Sequence, residues 1–192
     1  EAREDGGTPG FLQVIRAALS IKLKEQMGTE NIEAREKELV QLAFQELRKI
    51  PGIKLLADNV EDRLGVISFY HEDIHFNLLV KLLNDRYGIQ VRGGCACAGT
   101  YGHYLLNVTY KDSKHITDLI NHGDLSQKPG WVRLSLHPTM KDDEVYYFAS
   151  ALKEIIENIN EWEKDYSYNK QLNEFVHESF QPFNIEKWFE ME

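Results

Sequence analysis

A small mixed α/β layer, with a short antiparallel or mixed sheet covered by helices, is the fold this sequence predicts. Apolar residues recur at helical spacing in several stretches, two further stretches alternate or are rich in β-branched and aromatic residues, and glycine or proline breaks stand between them. The resulting order is helix, helix, strand, strand, helix, strand, loop, strand, helix. Strand order is left open at this level.

Thr8 and Pro9 form a helix start, with the threonine as N-cap and the proline at the first helical position. Phe11, Val14, Ile15, Ala18, Leu19 and Leu23 then predict a helix over 11–27, stopped by Gly28. A second helix is predicted over 32–49, with Leu39, Val40, Ala43, Phe44 and Leu47 on one face and solvated charge on the other. Pro51-Gly52 ends it, and strands follow over 53–57 and 64–70. Asp73 is the predicted cap of a helix over 74–87 with a Leu78, Leu79, Leu82, Leu83 stripe, and Gly88 is its stop. Residues 89–92 read as a short strand entering a glycine-rich loop. Residues 104–110 fit helix or strand, and 111–128 read as polar surface cover without a clear period. Residues 130–136 alternate, which puts Val132, Leu134 and Leu136 on one face and Trp131, Arg133 and Ser135 on the other. Asp142 or Asp143 caps a last long helix, and an aromatic tail over 162–192 is expected to dock on a surface.

Composition narrows the function classes. Hydrophobic residues make up 42% of the chain, as in globular proteins generally, and a net charge of -9 offers no basic stripe for nucleic acid. No apolar run is long enough for a membrane helix, and no signal peptide opens the sequence. Two cysteines one residue apart make a poor disulfide framework, which points to a reducing, cytoplasmic setting. The first residue is Glu1 rather than methionine, so the chain is expected to be a piece of something longer.

Chemistry concentrates in the loop Gly93-Gly94-Cys95-Ala96-Cys97-Ala98-Gly99. Arg92 stands five residues before Cys97 and His103 six residues after it, and cations near a thiol favour the nucleophilic thiolate. The plainer alternative is a small buried apolar cysteine. A zinc site built on Cys95, Cys97 and His103 lacks a fourth ligand, and no metal site is expected. Arg133, on the face it shares with Trp131 and Ser135, is placed to fork onto a carboxylate, or else to be a surface charge. The glycines before Thr8 suit an anion such as a phosphate, or plain capping. Asp142-Asp143-Glu144 complements a helix dipole, and His137-Pro138 reads as a turn.

The segment Gly88-Ile-Gln-Val-Arg-Gly-Gly-Cys-Ala-Cys-Ala98 resembles the active-site cysteine segment of class V aminotransferases, within them the cysteine desulfurase and selenocysteine lyase group. Arg3-Glu-Asp-Gly-Gly-Thr-Pro9 resembles the motif near the end of the large domain of these enzymes, and Gly130-Trp-Val-Arg-Leu-Ser-Leu136 their substrate-carboxylate strand. The motifs keep the family's order over about 130 residues. The C-terminal part of molybdenum cofactor sulfurases is also similar.

The resemblance implies the small C-terminal domain of a fold-type I pyridoxal phosphate-dependent transferase. Residues 1–28 would end the large domain, 29–160 form the small domain and 161–192 an extension. It implies Cys97 as the persulfide-forming nucleophile, Arg133 as the substrate-carboxylate ligand with Arg92 assisting, and Gly7 and Thr8 as cofactor-phosphate ligands, in the family from the neighbouring subunit of a homodimer. The substrate would be L-cysteine or a close analogue, with an acceptor protein for the sulfur. No segment resembles the family's Schiff-base lysine motif, so the 192 residues alone are expected to be inactive. A class V aminotransferase for another amino acid, and a non-catalytic sulfur-carrier or interaction module, are the alternatives.

Overall fold

The computed structural model describes residues 6–95 and 99–181. Helix α1 (Phe11–Met27) begins without a side-chain cap: Gly10, not Thr8, is its N-cap, and the Phe11 amide bonds the Pro9 carbonyl at 2.8 Å. Pro9 therefore lies before the helix rather than at its first position. Gly28, at φ 82°, stops α1 and serves directly as N-cap of α2 (Thr29–Leu47), which starts three residues earlier than its apolar stripe predicts. The positive φ is why glycine holds this corner.

Strands β1 (Ile53–Leu55), β2 (Val66–His71), β4 (Trp131–Ser135) and β3 (Arg92–Gly94) form one antiparallel sheet in the order β1-β2-β4-β3. β2, α3 (Phe76–Tyr87) and β3 make a crossover with β4 inserted between the two strands, a split βαβ unit. Helices α2, α3 and α6 (Asp142–Trp162) cover one face of the sheet, where Phe44, Ile67, Phe69, Leu79, Val132 and Leu152 are fully buried. The mixed α/β layer is thus the fold.

Several local expectations are corrected. The cap of α3 is His75, whose Nδ1 accepts from the Asn77 amide, since the helix starts at Phe76, two residues later than expected; the Asp73 amide bonds His71 Nδ1. Gly88 stops α3 in the left-handed region, and the Ile89 amide reaches back to the Leu83 carbonyl at 3.0 Å. That closure holds Ile89–Val91 out of the ladder, and β3 pairs only from Arg92. Between β3 and β4 the chain forms two helices, α4 (Gly99–Leu105), where the loop and a stretch fitting helix or strand meet, and α5 (Tyr110–Asn121), where polar surface cover is expected. Thr109 caps α5 by accepting from the Asp112 amide. Lys141, rather than Asp142 or Asp143, is the N-cap of α6; its amide donates to the Glu144 carboxylate, while Asp142 pairs with Arg35 at 2.7 Å.

The described part of the tail docks, as its aromatics suggest. It forms a hairpin of β5 (Tyr166–Asn169) and β6 (Glu174–His177) packed on α3. Tyr168 and Phe175 lie against the His75 ring, with centroids 5.3 and 5.4 Å away. Phe183, Trp188 and Phe189 lie outside the described residues.

Candidate active site

Alternation along β4 sends Val132 and Leu134 into the helix-covered core and Trp131 and Arg133 to the opposite face. Register then supplies what sequence cannot. Arg133 stands between Ser68 of β2 and Arg92 of β3, each its direct cross-strand partner. Two arginines opposite one another in neighbouring strands repel, so the row favours an anion above it. The Arg133 Nε is buried and bonded to no group among the described residues. Neither arginine is within ion-pair distance of a described acid, in a chain with 31 acidic residues. A planar, forked donor set of this kind suits a carboxylate.

Trp131 anchors the other side of the site. It is 5% exposed, yet its cover is α4 rather than the core helices: a Cβ on Gly102 would lie 3.1 Å from Trp131 Cζ3. The same Cβ would lie 3.6 Å from Cys95 Cβ, so Cys95 and Gly102 meet over the indole. The ends of the thiol loop are therefore seated beside β4 and two residues along from Arg133. Cys97 lies outside the described residues, and no position is given for its thiol. Cys95 is half-buried, and His103 is half-buried on α4.

Gly7 and Thr8 are exposed and are not brought to the arginine row within this chain. Gly7 has φ 141°, nothing lies within 4 Å of where its Cβ would be, and α1 begins behind it without a side-chain cap. Such an open turn, with the Thr8 hydroxyl bonded to no described residue, fits a phosphate from outside the chain.

Sequence reasoning missed the groups around the hairpin. Burial lowers the pKa of His75 below its ordinary value. Tyr166 is pushed up to about 12 by burial and by Asp85, which accepts from its hydroxyl at 3.1 Å. Asp124 falls to about 2, first because the Ser126 hydroxyl and amide donate to it, then through Lys170. The signal available was the aromatic density of residues 162–180, which names a docking tail without naming its partner. Among the described residues, no three His, Cys, Asp or Glu side chains are grouped to hold a metal, and no helix is long and apolar enough to cross a membrane.

The model of the aminotransferase class-V family matches residues 1–148. A cysteine desulfurase of Haloferax volcanii is 29% identical over 93 residues, 48% of this chain and 22% of that protein. A probable cysteine desulfurase of Mycobacterium leprae is 32% identical over 97 residues, 50% of this chain and 23% of its own length. The solved apo cysteine desulfurase of Thermococcus onnurineus matches with a TM-score of 0.59 at 25% identity, over 81% of this chain and 34% of that one. The chain spans less than a quarter of the length of these curated relatives.

Proposed function

The chain belongs to the class-V aminotransferase family, and on that premise we propose that it is the C-terminal portion of a pyridoxal phosphate-dependent enzyme of cysteine desulfurase type. The observation that carries the reading is the unpartnered, buried Nε of Arg133 beside its cross-strand neighbour Arg92, at the foot of a glycine loop holding a thiol.

Residues 1–28 close the large domain, 29–160 form the small domain, and 161–192 are an extension. Arg133 holds the α-carboxylate of L-cysteine in a forked contact, and Arg92 adds positive charge without a carboxylate of its own to satisfy. Together they fix the amino acid so that its sulfur faces the thiol loop. The Cys97 thiolate attacks that sulfur; an S–S bond forms as the C–S bond breaks, the bonding pair stays with the substrate β-carbon, which takes up a proton and leaves as alanine, and Cys97 is left as a persulfide. The proton on Cys97 must leave first, and the arginine row favours the thiolate by its charge. When bound, pyridoxal phosphate supplies the electron sink that labilises the amino acid. Gly7 and Thr8 hold its phosphate across a homodimer interface, which fits their exposure and the uncapped turn. The persulfide then passes to an acceptor protein, in a reducing cytoplasmic setting.

The test is sulfide and alanine release from L-cysteine by the whole protein that contains this chain. Cys97→Ala is expected to abolish release while leaving cofactor absorbance intact. Arg133→Lys, which keeps charge but loses the fork, should lower kcat/KM by about 100-fold, the scale of a bidentate charged contact. Deamination of another amino acid, indifferent to Cys97→Ala, would replace this reading with aminotransferase activity. Absence of both activities, and of cofactor, would leave a carrier or interaction module.

A further inference from the structure

A cleft of about 690 Å³ opens between α3, the outer edge of β3 and the β5–β6 hairpin. That volume falls among small-molecule sites, which run from about 300 to 1,000 Å³. Phe76, Val80, Leu125 and Phe175 give it apolar walls. Its charged side chains are two cations, Lys81 and Lys128, against one carboxylate, Glu174, with Arg92 at its border. This bias is the reverse of the chain's net charge of -9.

The cations differ in how far they are neutralised. Lys81 lies 3.4 Å from Asp85 and faces the Phe180 ring. Lys128 has no acidic partner among the described residues. Arg92 borders the cleft through its strand edge, while alternation with Gly93 sends its side chain toward Arg133; a Cβ on Gly93 would meet Asn77 and Val80 of α3.

The outer wall is held firmly. Asn77 Nδ2 donates to the Asn173 carbonyl at 2.6 Å, and the Leu125 amide donates to the Lys170 carbonyl at 2.8 Å. Arg86 pairs with Asp165 at 3.3 Å and stacks on Trp162 at 3.9 Å. The hairpin therefore ties α3 to the segment after α5, and the cleft lies between them. Its residues lie beyond 148, where the family match ends.

We propose that this cleft binds a small organic anion with an apolar body, the body lying between Phe76, Val80 and Phe175 and the anionic group at Lys128 and Lys81. A wholly apolar ligand would leave Lys128 without a counter-charge, and a cationic one would have only Glu174 to meet it. The cleft also reaches Gly94 and Cys95, at the root of the thiol loop, while Lys81, Lys128 and the hairpin lie outside the arginine row.

The probes are 4-phenylbutyrate, its neutral amide and inorganic phosphate, titrated into the 192-residue chain and followed by ligand-observed NMR. Saturable binding of the carboxylate is expected, about tenfold tighter than the amide, as a charged hydrogen bond in an open site provides. Phosphate should not compete at equal concentration. Lys128→Gln, at an exposed position, should weaken the carboxylate about tenfold without moving the thermal midpoint. Val80→Trp, which fills the cleft, should abolish binding. No saturation, equal binding of the amide, displacement by phosphate, or a full response in Val80→Trp, as from binding on the exposed apolar face of α1, would each overturn the proposal. Should Val80→Trp fail to fold, the amide comparison and Lys128→Gln still decide it.

Discussion

Phe76 is the side chain on which the two strands of the candidate site rest, and Gly130→Ala tests that directly. A Cβ at residue 130 would stand 2.6 Å from both Cε1 and Cζ of Phe76 and 2.9 Å from Cδ1. Carbon atoms pack at about 3.5–4.0 Å, so the ring must retreat by about 1 Å. It has little room. Phe76 is 7% exposed, stacks on His75 with centroids 4.5 Å apart, and has its Cδ2 edge against Gly93. Overpacking of this kind costs about 1–3 kcal/mol. Gly130 has no positive φ, so alanine recovers about 0.5–1 kcal/mol by restricting the unfolded chain. The net expected loss is about 1–2 kcal/mol, read from urea unfolding as a lower midpoint with unchanged slope. Phe76→Leu removes the ring atoms that collide. The double variant should then be about 1 kcal/mol more stable than the two single effects summed. Additive effects, or a neutral Gly130→Ala, would show that the ring does not limit the approach of β4 to α3.

Two further outcomes follow from the structure. His75 Nδ1 accepts the Asn77 amide, so Nε2 carries the proton, buried without a described partner. The proton that titrates is a second one, on Nδ1, and the lowered pKa means that the unfolded chain binds it more readily; stability from this site is full above pH 6.5 and falls as the pH drops below it. His75→Asn keeps a cap acceptor and should flatten the decline of the thermal midpoint between pH 7.5 and 5; an unchanged decline would refute the assignment. Helix α1 has no buried residue, and Phe11, Leu12, Val14, Ile15 and Leu19 are each more than half exposed. The isolated chain should therefore self-associate in sedimentation, and Ile15→Lys with Leu19→Lys should return it to monomer. Monomers of the unaltered chain at high concentration would count against that reading.

How far the sequence discloses this fold depends on where the information is stored. Gly28 and Gly88 were readable as helix stops because a positive φ is a local property that glycine alone meets cheaply. The start of α3 was not, since His75 owes its capping place to aromatic neighbours drawn from the tail, nearly a hundred residues away. Helix α5 escaped notice because it buries none of its residues completely, leaving a thin apolar stripe. A closer signal was available in Thr109 and Asp112, a hydroxyl and an acid three residues apart at the start of a helix. Residues 89–91 look like strand by composition, but the closing turn of α3 commits the Ile89 amide elsewhere.

The site divides in the same way. Alternation in β4 was enough to put Arg133 on the face away from the core, and proximity in sequence put Arg92 at the loop. That the two are direct cross-strand partners is a matter of register between strands forty residues apart, which no local pattern contains. The pairing is also what argues for a binding site over plain surface charge. Like charges directly opposite in an antiparallel pair are destabilising, and this chain has acids in excess with which a neutral row could have been made. With Ser68 as the other neighbour and the Arg133 Nε buried without a described acceptor, nothing in the row offsets the repulsion. An anionic group seated between the guanidinium groups would offset it and would supply the missing acceptor. On the proposed reading, the arrangement is held ready by the sheet before any ligand arrives, and its cost to the fold would become affinity for a carboxylate.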